Sequence, residues 1–189
     1  MKRILPLALL TVVTLLGRAE ARPVVRVVPK VFDPVDADRV FAGWTPLGVL
    51  ELVKDEPTSS PSAAGAEIEG VAGMTLNELG FDSFDPGHCG AGAPRFDVTL
   101  ADGSLYFFGC AYGQHAASPI PFFTRVRFQD EDAQPQFIGQ PAWPGFGHAV
   151  VREMQIVFDE GTDVGPGWAL MAAIDINHDR VRGDGRSAR

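Results

Sequence analysis

The chain has 189 residues, of which 16 are Lys or Arg and 24 are Asp or Glu, giving a formal net charge of −8. That balance opposes nucleic acid and anionic membrane surfaces, which require a basic face, and leaves neutral sugars, cations and basic partners open. The length suits one domain with a sizeable core.

Residues 1–21 read as a signal peptide. Lys2 and Arg3 precede an apolar run from Ile4 to Leu16, and Ala19-Glu20-Ala21 is a small-residue exit. The run is shorter than the about 20 residues that span a hydrocarbon core, and no second candidate follows. The expected product is exported, to the periplasm or beyond, with no membrane span. The folded domain is expected over 22–177, with a structureless tail over 178–189.

In chain order, Arg22 to Pro29 reads as an extended lead-in whose prolines keep it off a central strand. Gly48 to Val53 is the first clear strand. Glu56 to Gly65 is rich in Pro, Ser and Ala and reads as a flexible loop. Thr75 to Leu79 has the spacing of a single helical turn, with Thr75 as cap and Glu78 three residues on. From Ala66 onward, short β-prone runs alternate with turn signals, the pattern of an all-β sandwich or barrel.

The clearest unit is a hairpin, Arg95 to Leu100 and Leu105 to Phe108, joined through Asp102-Gly103. Period two puts Phe96, Val98 and Leu100 on a buried face and Arg95, Asp97 and Thr99 on a wet one. Phe122 to Phe128 repeats the logic, with Phe122, Thr124, Val126 and Phe128 on one side. Val150 to Phe158 and Trp168 to Ile176 are the last strands. Cys89 and Cys110, an even pair in an exported chain, predict one disulfide. The rival, a metal site from Cys89, Cys110, His88 and His115, lacks the tight C-x-x-C pair usual for zinc.

Three stretches carry a resemblance: Cys89-Gly90-Ala91-Gly92-Ala93-Pro94-Arg95-Phe96, Phe107-Phe108-Gly109-Cys110, and Ala173-Ile174-Asp175-Ile176-Asn177. Together they resemble bacterial secreted β-sandwich domains of the jelly-roll, galactose-binding-like type. The resemblance implies an antiparallel β-sandwich with little helix, and a binding module more than an enzyme. Carbohydrate is the implied ligand class, and a structural calcium frequently accompanies it.

Among the residues themselves, Gln140 to His148 is a loop presenting Trp143, Phe146 and His148, the aromatic and polar groups a sugar ring requires. Its alternative is Trp143 plugging one end of the sandwich. Trp44 and Trp168 read as core or rim packing, and Tyr112, Gln114 and His115 as a polar loop without ligand spacing. Asp159, Asp163 and Asp175, with Glu160, are candidate calcium ligands if the last two strands pair, with Asp33 and Asp36 a rival source. The alternative is an acidic surface loop holding no ion. Glu51, Glu67, Glu69, Asp97 and Glu153 lie on or near strands, where a hydrolytic pair would sit, and solvent-face charge is the plainer account. Nucleophile-elbow, zincin and phosphate-loop patterns are absent, and Arg182-Gly183-Asp184 is read as chance. The expected function is a secreted, non-enzymatic module for an extracellular glycan, with no cofactor beyond a structural calcium. The alternatives are a structural or surface-associated domain and a two-carboxylate hydrolase.

Overall fold

A computed structural model describes residues 24–36 and 39–181. The expected signal peptide and the Arg182-Gly183-Asp184 tripeptide lie outside the described residues. The strands in chain order are β1 (Arg26–Phe32), β2 (Val40–Trp44), β3 (Leu50–Lys54), β4 (Ala63–Glu69), β5 (Thr75–Leu76), β6 (Leu79–Phe84), β7 (Arg95–Leu100), β8 (Leu105–Gly109), β9 (Gln114–Ala117), β10 (Phe123–Arg127), β11 (Gln134–Pro135), β12 (Ala149–Phe158), β13 (Trp168–Ile176) and β14 (Asp179–Arg180). Helix among the described residues amounts to two short 3-10 turns, Cys110–Tyr112 and Asp130–Asp132. No helix there is long and apolar enough to cross a membrane.

Two seven-stranded antiparallel sheets form the expected β-sandwich. Sheet A runs β1-β4-β12-β7-β8-β11 with β5 added against β12, and sheet B runs β2-β3-β13-β6-β10-β9 with β14 added against β13. The alternation in β7 aims Phe96, Val98 and Leu100 into the core. There Phe96 meets Phe81 of β6 at 5.8 Å between ring centroids and Phe128, just past β10, at 6.0 Å, while Phe108 of β8 meets Phe128 at 5.5 Å. Rings from both sheets thus interlock, and each buried ring contributes roughly 1.5–3 kcal/mol of transfer free energy. The Asp102-Gly103 turn closes as expected: Gly103 has φ 90°, and Asp102 Oδ1 accepts the Ser104 amide at 2.9 Å.

The other face of β7 is not wet. Asp97 and Thr99 are buried on it, with Arg95 and Gln155 bonded to the Asp97 carboxylate. The two longest strands each break period two with a bulge, β12 between Val151 and Glu153 and β13 between Ala172 and Asp175. Val151 and Met154 therefore both face inward, as do Met171 and Ile174.

Thr75 to Leu79 is not a helical turn. Leu76 pairs with Ala149 of sheet A, and Leu79 opens β6 in sheet B, so the three-residue spacing serves a crossing between sheets. Asn177 replaces the helix cap, its Oδ1 accepting the amides of Asn77 (2.6 Å) and Glu78 (3.2 Å). Phe122 turns out of the expected face: it has φ 68° and is 78 % exposed, and β10 begins one residue later. The lead-in becomes edge strand β1, paired with β4 along its whole length. Order also continues beyond Asn177, since β14 pairs with β13 and Val181 is buried.

The loop after β3 is tied down. Lys54, the last residue of β3, is 0 % exposed, and its Nζ donates to the carbonyls of Thr58 (3.3 Å), Ser60 (2.9 Å) and Asp159 (2.8 Å). Glu56 accepts the hydroxyls of Ser60 and Ser62, which hold its carboxyl below the usual value. Ala63 to Gly65, assigned to this loop by composition, are instead the first residues of β4. Lys54→Met keeps the stem and strands three carbonyls, at a cost of about 3 kcal/mol. Thermal unfolding should fall by roughly 6–12 °C, at about 2–4 °C per kcal/mol for a chain of this size. An unchanged melting temperature would show that water substitutes for the amine.

Candidate functional site

The expected sugar loop closes the core. Trp143 sits edge-on to Tyr106 (5.1 Å) and Phe108 (5.2 Å), and Phe146 packs beside it at 5.5 Å. Asp130 pins both, its Oδ1 accepting the indole Nε1–H (3.0 Å) and the Phe146 amide (2.7 Å). The indole's one polar atom is therefore spent within the protein. His148 is exposed beside this plug.

Asp159, Asp163 and Asp175 are not brought together. Asp159 receives Arg95 Nη1 at 2.7 Å, and Asp163 receives the amide and hydroxyl of Thr58, both at 2.7 Å. Asp175 lies seven residues along β13 from Trp168, roughly 23 Å at strand rise, paired with Arg127 (3.4 Å) and Arg180 (3.5 Å). Asp82 joins this second network, ion-paired with Arg125 at 3.6 Å and accepting the Ser118 hydroxyl at 2.5 Å. Each acid has its own partner, chosen by strand register that spacing in sequence does not reveal.

Cys89 and Cys110 form the expected disulfide. Beside it His88 is buried, its Nε2 2.6 Å from Glu160 Oε2 and its Nδ1 3.1 Å from the Pro166 carbonyl. Both ring nitrogens face acceptor oxygens. Glu160 Oε1 also accepts the Gly92 amide at 3.2 Å. A Cβ at Gly90 or Gly92 would lie 2.1 Å or 2.5 Å from a Glu160 oxygen, so a side chain at either position would push the Glu160 carboxylate from its place.

The outer face of sheet A is concave. Small residues Ala63 and Gly65 on β4, with Thr99 on β7, form a low floor, and Lys30, Glu69, Arg152 and Glu153 stand around it. Two adjoining hollows of about 530 and 390 Å³ share Lys30, Asp97 and Gln155. Register sets Glu67, Gln155 and Asp97 side by side across β4, β12 and β7. Arg95 Nε donates to Asp97 Oδ1 at 2.7 Å, and Gln155 Nε2 to Oδ2 at 3.3 Å. Burial pushes the Asp97 carboxyl above its ordinary value, against the pull of Arg95. Arg95 lies 4.8 Å over the Phe107 ring, and Phe32 is exposed at one end of the trough. Four of the five strand carboxylates named from the sequence share this face, whereas Glu51 is on β3 of sheet B. Sequence reasoning did not single out Gln155, although its place between Met154 and Ile156 in an alternating strand marks it as outward-facing.

The Asp163 carboxyl, bonded by Thr58, is held below its ordinary value. Such a group stabilises the fold above the unfolded carboxylate range and loses that contribution as pH falls through about 3.9 toward the folded value. Asp163→Asn keeps the acceptor oxygen and removes the titration. Its melting temperature should fall less steeply than wild type between about pH 5 and about pH 3, with a residual slope from Glu56 and Asp102, which are lowered likewise. Parallel acid limbs would contradict the assignment.

No protein-family model matches this chain, and no curated protein and no solved structure matches it either.

Proposed function

We propose that the protein is an exported, non-enzymatic module that binds a neutral glycan along the open face of sheet A. The observation that carries this reading is the cross-strand row Glu67–Gln155–Asp97, which sets two carboxylates and an amide about 4.8 Å apart along the concave outer face of sheet A, Asp97 at its buried end. A polyhydroxyl ligand needs such a row of fixed hydrogen-bonding groups, and the exposed Phe32 at one end of the trough offers apolar surface to a sugar ring. Lys30, Arg95 and Arg152 intersperse with Glu67, Glu69, Asp97 and Glu153, and this mixed charge favours a neutral chain over a polyanion. The plugged position of Trp143 moves the weight from its loop to the trough.

The hydrolase reading has one observation for it. Glu67 and Asp97 are two strands apart, about 9.6 Å between backbones, close to the separation of inverting glycosidase carboxylates. Against it, both Asp97 oxygens are engaged, by Arg95 and by Gln155, so neither is free to protonate a leaving group. Binding without cleavage fits better.

The test is a glycan panel presented to the chain from Arg22 onward, beside Glu67→Ala, Gln155→Ala and Trp143→Ala, each checked for a cooperative melt. Binding should weaken about tenfold or more, the worth of about 1.4 kcal/mol, in the two trough variants. Loss confined to Trp143→Ala would return the site to the loop. A folded wild type that holds no glycan would sink the reading and leave a structural domain.

A further inference from the structure

Cys89 lies in the segment between β6 and β7, Cys110 begins the 3-10 turn after β8, and His115 is on β9 at the edge of sheet B. Three separate segments thus converge, and the two Sγ atoms and a ring nitrogen of His115 all lie within 4.8 Å of one another. Among the described residues no other group of three or more His, Cys, Asp or Glu side chains gathers its ligand atoms so closely. His88 is not part of it, being held by Glu160 and Pro166. His115 is exposed on edge strand β9 and Cys89 is half-buried, so solvent reaches the cluster from their side, while Cys110 is buried behind them. A cavity of about 80 Å³ adjoins it, lined among others by Cys89, His115, Ser83, Asp85 and Thr124. That is space for a further, oxygen ligand.

We propose that Cys89, Cys110 and His115 form a redox-gated site for a borderline-soft divalent cation, zinc above all, that is closed by the disulfide and opened by its reduction. The donor set is the argument. Two thiolates and an imidazole suit zinc, which takes such ligands in tetrahedral geometry and accepts water in the fourth position when three come from the protein. In the oxidised chain both sulfurs are spent on each other, and His115 Nε2 sits 2.9 Å from the Cys110 carbonyl. A dithiol reductant supplies two electrons and two protons: the Sγ–Sγ bond breaks, two thiols form, and the reductant leaves as its own disulfide. The cation then displaces the two thiol protons and is held by the two sulfurs and the ring nitrogen. The disulfide therefore joins two of the three segments in the oxidised state, and the ion would join all three in the reduced one.

The chain from Arg22 onward, reduced under argon with a phosphine that is then removed, is titrated with zinc against a chromophoric chelator. Cobalt, whose spectrum reports thiolate ligation and tetrahedral geometry, serves as a second probe. The expected result is one ion per reduced chain, a thiolate-to-cobalt charge-transfer band, and little binding to the oxidised chain. His115→Ala, at an exposed position, should weaken zinc binding at least about tenfold and alter the cobalt spectrum, while the neighbouring exposed Gln114→Ala should do neither. Circular dichroism confirms that these variants stay folded. No zinc on the reduced chain, equal binding to the oxidised chain, or affinity unchanged in His115→Ala would each overturn the proposal. A reduced chain that unfolds and binds zinc equally well with and without His115 would overturn it too.

Discussion

An amine enclosed by protein must hand each of its protons to an oxygen, and Lys54 finds its acceptors on two separate segments. Two carbonyls come from the loop that follows its own strand, and the third is at Asp159, where β12 of the opposite sheet ends. The bond therefore ties sheet B to sheet A at one end of the sandwich and sets where the chain leaves β12. From that point two consequences diverge. The Asp159 side chain anchors Arg95, which fixes Asp97 in the trough. Glu160, one residue on, holds His88 and the Gly92 amide beside the disulfide. One buried cation thus underlies both the open face and the cysteine corner.

The molecule's charges separate by task. On sheet B the strongest ones neutralise each other: Asp82 and Asp175 are buried and ion-paired with Arg125, Arg127 and Arg180. On sheet A several stay in water, since Lys30 and Glu67 approach only to 3.7 Å with most of each side chain exposed. Pairs of that kind contribute little to stability, so their side chains can change partners at small cost.

Much of this architecture was legible in the residues. Asp102-Gly103 between two β-rich runs announced its hairpin, and Phe96, Val98 and Leu100 their buried face, because turn chemistry and period two are local. The disulfide followed from a lone cysteine pair in a chain read as exported. What was not legible depends on which strands become neighbours. Thr75 and Glu78 carry a capping pattern, yet Leu76 and Leu79 are each worth more in different sheets than on one helical turn. Asp159, Asp163 and Asp175 look like one ligand set in the linear order, but β13 carries the last of them to the far end. The row Glu67–Gln155–Asp97 joins residues from three distant stretches, and the bulge after Val151 sets part of its register.

The positions of β12 and β13 have a consequence for how the chain can fold. Each lies inside its sheet, β12 between β4 and β7 and β13 between β3 and β6, yet both come after residue 148 in the sequence. Hairpins such as β7–β8 can pair earlier, but β4 and β7, like β3 and β6, lack the strand that lies between them, so an amino-terminal portion cannot complete either sheet by itself. Closing those long loops is an entropic cost met late, which slows the search for the native state. The order of strands leaves both sheets without a central member until the last quarter of the chain is in place.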